Sequence, residues 1–222
     1  MEFTVGRWRA RLVSRAAADA AMKLRSRVFR NGADDADAFD QDAHHLLIED
    51  ENSVVACARL TVQQSDDIAH GYTARHYDLA AFAASFPRAL EVGRVCIDPA
   101  CGNADVPRLL LAVTARVVTA ENVSVLYGCS SFPRAGTGMA RLAGHIAPAL
   151  WRPRPRTATV PLRQVPGPLP PLLRSFLALG AGVSDHAVVD TDLGTLHVFT
   201  ALPIAAIRPG RARLLTGLLD AA

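Results

Sequence analysis

Hydrophobic and polar residues change their period several times along the chain, and each change predicts an element. Arg7 to Val13 alternates, as a half-buried strand does. Ala16 to Phe29 carries apolar residues at helical spacing and predicts a helix. Asn31 to Asp42 is acidic and contains glycine, which predicts a loop. His45 to Ile48 and Val54 to Val62 predict two strands of a hairpin turned at Glu51-Asn52-Ser53. Thr73 to Phe86 is mixed and predicts short helical pieces. A strand follows over Leu90 to Asp98, an amphipathic helix over Val106 to Ala120, a strand over Val123 to Cys129 and a short helix over Gly138 to Ile146. Pro148 to Pro171, rich in proline and arginine, predicts a connection. Leu172 to Leu179 predicts a helix, Ala187 to Val189 and Leu196 to Leu202 two strands, and Arg211 to Leu219 a terminal helix. The expected fold is α/β: a mixed, mostly antiparallel central sheet flanked by helices, in a single domain over residues 1–222.

One of these strands carries unusual chemistry. Leu90-Glu-Val-Gly-Arg-Val-Cys-Ile-Asp98 holds an acid and a base three residues apart in an apolar run. Charged groups in a buried strand are costly unless they are paired or used. Gly93 between them suggests a bulge, or a ligand passing close to the backbone. A plain Glu91–Arg94 pair at a sheet edge is the competing reading.

Composition narrows the setting. Of 222 residues 50% are hydrophobic, enough to bury a real core. No apolar run reaches the roughly 18–20 residues of a membrane span, and the N-terminus lacks a basic-then-apolar leader pattern. A cytoplasmic protein is expected. Cys57, Cys96, Cys101 and Cys129 show no CxxC spacing, which suits reduced thiols. The net charge of +3 is mild, but arginines crowd both ends, at Arg7, Arg9, Arg11 and Arg15 and at Arg208, Arg211 and Arg213. A solvated basic face, nucleic acid, an acidic partner and an anionic membrane are all open readings. No Walker or GxGxxG motif occurs. His44 and His45 lack a third ligand at suitable spacing, so no metal is expected.

An ordered set of short motifs spans most of the chain: Leu24-Arg-Ser-Arg-Val-Phe29, Asp37-Ala-Phe-Asp-Gln-Asp-Ala-His-His-Leu-Leu47, Ala58-Arg-Leu60, Glu91-Val-Gly-Arg-Val-Cys96 and Gly128-Cys-Ser-Ser-Phe132. Leu169-Pro-Pro-Leu-Leu173, Ser184-Asp-His-Ala-Val-Val-Asp190 and Leu196-His-Val-Phe199 complete it. In these the sequence resembles the ornithine N-acyltransferases of the GNAT superfamily, which make lyso-ornithine lipid from acyl-carrier protein and are kin to the acyl-homoserine-lactone synthases. It departs from them in a shorter stretch between Phe132 and Trp151, and at His197, where many members carry an acid. Acetyl-CoA-dependent relatives have a glycine-rich, phosphate-gripping turn after the central strand. Here that place reads Asp98-Pro-Ala-Cys-Gly-Asn-Ala-Asp-Val-Pro107, with two acids and two prolines. A pyrophosphate clamp is not expected, because proline supplies no N–H and acids repel phosphate. The expected donor partner is acyl-carrier protein bearing phosphopantetheine, with no other cofactor. The terminal arginines suit its acidic surface better than nucleic acid.

The implied reaction joins an acyl thioester to an amino-acid α-amine. Glu91 is the candidate base, with the backbone around Gly93 as oxyanion donor, and a structural carboxylate paired with Arg94 or Arg59 as the alternative for Glu91. Arg94 and Arg59 are candidates to bind the acceptor's carboxylate, or else to neutralise Asp40, Asp42 and Glu91. The resemblance implies a network of these arginines and acids, with Arg25 and Phe29 packed over the same site; Phe29 alone also reads as core. Asp40 and Asp42 end the acidic loop, ordering it or holding a basic group. Cys129, with Ser130, sits where the acyl arm passes in this fold; it either leaves room or forms an acyl-cysteine. Asp190 and Asp192 flank a late turn, which explains them as turn residues; if they reach the acceptor, they suit the ornithine δ-ammonium. The expected function is transfer of a 3-hydroxy fatty acyl group to ornithine. The alternatives are the same reaction on glutamine, acyl-homoserine-lactone synthesis, and a non-catalytic GNAT-like module. A lipid-like product brings an expected peripheral contact with the inner membrane face.

Overall fold

The computed structural model describes residues 1–51, 53–211, 217 and 219. In chain order its elements are β1 (Glu2–Val5), β2 (Trp8–Val13), α1 (Asp19–Arg30), β3 (His44–Asp50), β4 (Ser53–Gln64), β5 (Tyr77–Asp78), α2 (Ala80–Ser85) and β6 (Arg88–Ile97). Then come α3 (Asp105–Ala120), β7 (Val125–Phe132), β8 (Arg154–Pro155), β9 (Thr159–Pro161), α4 (Pro171–Leu179), β10 (Gly182–Val183), β11 (His186–Asp190) and β12 (Thr195–Pro203). Most elements fall where the hydrophobic period put them. The terminal helix expected over Arg211–Leu219 lies largely outside the described residues, as does Asn52 of the expected hairpin turn.

Local chemistry sets several boundaries. Gly6, at φ 57°, turns β1 back onto β2. The α1 helix ends at Asn31, left-handed at φ 51°, with Arg27 and Arg30 in its last turn beside the negative end of the helix dipole. Pro171 opens α4 and a left-handed Gly180 closes it. The connection expected over 148–171 contains two short strands, β8 pairing with β5 and β9 with β11.

The chain forms two compact units, and both β4 and β6 contribute residues to each. The first comprises Met1–Val62, Val92–Asn122 and the described residues of Pro209–Ala222. Its strands run in the order β1-β2-β3-β4-β6. The first three pairings, β1–β2, β2–β3 and β3–β4, are antiparallel. Helix α1 buries Ala21, Met22 and Leu24 against Leu47, Cys57 and Cys96. Helix α3 packs against β3.

The second unit comprises Gln63–Glu91 and Val123–Arg208. Its strands run β6-β7-β12-β11-β9. The β6–β7 pair is parallel, Glu91 lying opposite Tyr127. The others are antiparallel, and β7 matches β12 over eight residue pairs. Its core is aromatic: Phe82 of α2 is fully buried against Phe86, Tyr127, Trp151 and Phe199 at ring separations of 5.0–6.2 Å. The α/β class, with its mixed and mostly antiparallel strands flanked by helices, is the one expected. No helix of the described residues is long and apolar enough to cross a membrane.

Phe82 lies against four aromatic rings, and truncation leaves a cavity among them. Phe82→Ala is expected to lower stability by about 3–5 kcal/mol in urea unfolding.

Candidate active site

The expected site residues fall into two groups, one in each unit. In the first unit, α1 presents Arg25 to the acidic loop that follows it. Arg25 is 1% exposed and donates from Nε to Asp35 Oδ2 at 2.8 Å and from Nη1 to Asp40 Oδ1 at 2.6 Å. Its Nη2 reaches the Asp35 carbonyl oxygen at 2.8 Å and Asp40 Oδ2 at 3.1 Å. Arg59, from β4, donates to Asp37 Oδ1 at 2.5 Å and Asp40 Oδ1 at 3.1 Å. Arg94, from β6, lies 3.1 Å from Asp35 and donates to Asp37 at 3.2 Å. Arg30 joins Asp35 at 2.9 Å. The loop is built to receive these forks. Asp37 caps the short turn 38–40 and Asp40 reaches back to its backbone N–H. His45 Nε2 meets the Asp40 carbonyl at 3.1 Å.

Arg25, Arg59, Arg94 and Asp40 are therefore together. Asp35, Asp37 and Arg30 belong with them, and a loop rich in acids gave no sign of which acids are buried. Asp42 stands exposed. Phe29 packs with the apolar core of α1, not with the ion network. Gly93 has an ordinary backbone; the left-handed residue is Arg94, at φ 49°. The irregularity expected at the glycine thus falls one residue later, on the arginine.

Burial alone would raise the Asp40 carboxyl. The hydrogen bond from Arg25, the Asp37 N–H and the charges of Arg25 and Arg59 outweigh it and hold the pKa at about 2.

The second unit arranges its chemistry along one face of a sheet. Glu91 Oε1 accepts the Thr73 N–H at 2.6 Å and Oε2 the Tyr72 N–H at 3.1 Å. The strand registers put Glu91, Tyr127, Cys129, Ser131, His197 and Asp190 on this same face, across β6, β7, β12 and β11. Tyr127 donates to Gln63, and burial pushes its phenol well up, so it stays neutral. A Cβ on Gly71 would lie 2.7 Å from Glu91 Oε2 and 2.8 Å from Gln63 Nε2, so a side chain there would displace one of these polar ends. Cys129 Sγ lies 3.8 Å from Thr73 Oγ1, and burial, with the nearby charges of Glu91 and Asp190, pushes the thiol far up. A thiolate nucleophile is disfavoured. Ser130 points to the other face and bonds Thr200 at 2.9 Å.

Asp190 is buried and accepts four bonds: from the N–H of Asp192 (3.0 Å) and Leu193 (3.4 Å), from Thr195 Oγ1 (3.4 Å) and from His197 Nε2 (3.1 Å). Burial would raise its carboxyl, but the His197 bond and charge and the two backbone N–H groups hold it well below the carboxylate range. An incoming δ-ammonium, the acceptor role expected for Asp190, meets a carboxylate whose acceptor positions are taken. Asp192 is exposed. Sequence reasoning did not single out Gln63, Gly71, Tyr72, Thr73 or Tyr127, and it named His197 only as a departure from the family's usual acid. No cluster of metal-binding side chains occurs among the described residues.

A mixed, mostly antiparallel sheet flanked by helices is the class of fold that the GNAT acyltransferases have. Residues 20–112 match the family described as Acetyltransferase (GNAT) domain. The chain resembles FeeM, an N-acyl amino acid synthase from uncultured soil microbes, with a TM-score of 0.57, 12% identity and coverage of 97% of this chain and 98% of that one. The CoA-dependent acyl-homoserine lactone synthase BjaI gives 0.53 at 11% identity, covering 99% and 90%. This chain is 32% identical to the L-ornithine N(alpha)-acyltransferase of Brucella abortus (strain 2308), over 87% of its own length and 83% of that protein. The Rhodobacter capsulatus protein of the same name is 30% identical over 78% and 76%. The chain belongs to the L-ornithine N(alpha)-acyltransferase family. It is an acyltransferase, with an acyl donor and an amino-acid acceptor as its partners.

The depressed Asp40 carboxyl has a consequence for stability. Its contribution is complete above the ordinary value of 3.8 and is lost as pH falls through about 2. Unfolding free energy is expected to drop by about 2 kcal/mol across that window from this group alone. Asp40→Asn should remove that part of the acid sensitivity and destabilise the protein at pH 7 by about 3–5 kcal/mol, because Arg25 stays buried with a partner lost. Urea titrations at pH 7, 4 and 2.5 read both effects.

Proposed function

We propose that the protein moves a 3-hydroxy fatty acyl group from the phosphopantetheine thioester of an acyl-carrier protein to the α-amine of L-ornithine, giving lyso-ornithine lipid. The acceptor follows the names of the Brucella and Rhodobacter relatives. The donor rests on one observation, the turn between β6 and α3. The N–H groups of Ala100, Cys101, Gly102 and Asp105 bond to Asp98 Oδ1, the Asp98 carbonyl, the Ala100 carbonyl and Asn103 Oδ1, at 2.9, 2.8, 3.1 and 2.7 Å. The donors that a CoA pyrophosphate needs are spent inside the turn, and Pro99 and Pro107 add none. A carrier protein presents a single phosphodiester and gains its hold through protein surface. The N-terminal arginines contribute little to such a hold, since Arg7, Arg9, Arg11 and Arg15 pair with Asp50, Glu2, Glu49 and Asp19. The exposed Arg154 and Arg163 suit an acidic carrier better. Leu150, 77% exposed and close in sequence to Arg152 and Arg154, suits a peripheral contact with anionic lipid, where the product leaves.

In this reading the amine attacks the thioester carbonyl, a C–N bond forms, the C–S bond breaks and the carrier's thiol is released. Glu91, held in place by two backbone N–H groups, takes a proton from the nitrogen.

The test is a rate comparison with purified protein. The 3-hydroxyacyl carrier protein should be consumed far faster than the matching acyl-CoA, and ornithine should outrun glutamine, homoserine lactone precursors and water. Equal rates with acyl-CoA would sink the donor assignment, and faster glutamine turnover the acceptor assignment. Glu91→Gln should lower turnover by about 10²-fold or more at pH 7. Unchanged turnover in the folded variant makes Glu91 a structural carboxylate.

A further inference from the structure

Making an amide from an amino acid releases two protons from one nitrogen. The acceptor arrives as an ammonium, which sheds a proton to become nucleophilic. The attacking nitrogen sheds another as the C–N bond forms and the C–S bond breaks. The departing sulfur takes up one proton and the other leaves for solvent. Glu91 accounts for one acceptor of these protons. The same sheet face holds a second group suited to the task.

His197, on β12, is 2% exposed, and its Nε2 lies 3.1 Å from Asp190 Oδ2. Asp190 is fixed by the three further bonds described above, so the carboxylate is oriented before the histidine meets it. A carboxylate accepts, so Nε2 carries a hydrogen, and in the neutral imidazole Nδ1 then presents the lone pair. His197 Nδ1 is buried and has no hydrogen-bond partner. A purely structural histidine in a core bonds through both nitrogens or is tied to a backbone group. The backbone of His197 is held separately, its carbonyl oxygen accepting from Tyr77 Oη at 2.9 Å. Its cross-strand neighbour Ser131 is exposed, so this end of the row reaches solvent.

We propose that His197 is a catalytic base of the acyl transfer, taking one of the two protons at Nδ1, and that Asp190 is its positioning residue. The proposal rests on the acyltransfer reading above and adds a second proton acceptor to it. The groups facing His197 are Asp190 from β11, Tyr72 and His76 from the segment before β5, and Tyr77 of β5. Cys129 and Glu91 stand further along the same face. Asp190 is the one that bonds its ring. Tyr77 and Cys129 stay neutral, burial pushing both groups up.

The test measures kcat between pH 5.5 and 9.5 at saturating donor and ornithine, for the wild-type protein, His197→Gln and Asp190→Asn. His197→Gln should lose about 10²-fold or more in kcat at pH 7, with the donor KM little changed. The pH profile of His197→Gln should differ in shape from the wild-type one, keeping only the steps that belong to Glu91 and the acceptor ammonium. Asp190→Asn should lower kcat with the donor KM unchanged, because the imidazole is no longer oriented. ¹⁵N NMR of the wild-type protein adds a readout independent of turnover and of whether the variants fold. It should report hydrogen on Nε2 and a lone pair on Nδ1. A wild-type Nδ1–H tautomer overturns the proposal, as does His197→Gln within twofold of wild-type kcat. Absence of any N-acyl product from the wild-type protein overturns the acyltransfer reading instead.

Discussion

Two consecutive backbone N–H groups, from Tyr72 and Thr73, end on the Glu91 carboxylate, and the chemistry of the second unit hangs from that attachment. A buried carboxylate needs such donors, and hydrogen bonds to an ionised group are about twice as strong as neutral ones. The two bonds fix the rotamer of Glu91 and at the same time dock the segment before β5 onto the sheet. From that docked segment the Thr73 hydroxyl meets Cys129, the Tyr72 ring stands 6.2 Å from His197, and Tyr77 holds the His197 carbonyl. Gly71 makes the close approach possible, since any side chain there would collide with the carboxylate it helps to cradle.

The first unit solves a different problem. Arg25 is buried in a helix face that otherwise packs apolar residues, and an unpaired guanidinium there would be prohibitive. The loop after α1 answers with Asp35 and Asp40 on Arg25 and Asp37 on Arg59 and Arg94. Planar forks suit this use: one guanidinium satisfies two carboxylates and a carbonyl at once, which an ammonium on a flexible stem does not. The network ties the loop to α1, β4 and β6 through groups that strongly resist separation.

The period of hydrophobic residues revealed most helices and strands, because burial of one face is what creates that period. It missed β1, which pairs only along an edge, and β8 and β9, whose partners rather than their own residues make them strands. Charged residues inside apolar runs marked Glu91, Arg94 and Arg59, since burial of charge is rare without a reason, and the family resemblance added Arg25. Asp35 and Asp37 were hidden because an acid in an acidic loop looks the same whether solvated or buried. Tyr72 and Thr73 act on Glu91 through their backbone, which no side-chain type announces. His197 was noted only as a departure from the family's usual acid; its link to Asp190 depends on hairpin register. Gly93 drew attention as the flexible residue, but the left-handed backbone belongs to Arg94, and only coordinates separate adjacent residues in that way.

The conformation of Arg94 changes how any mutational scan of this strand must be read. Alanine at 94 discards the guanidinium and still leaves a Cβ in the left-handed region, at φ 49°. Glycine discards the same guanidinium and releases that backbone, a difference of about 1 kcal/mol in its favour. The two truncations therefore carry different reference states. A loss measured with alanine mixes what the charge contributes with what the local chain geometry costs, and the gap between the pair separates them. At this position the smaller residue is the cleaner probe of electrostatics.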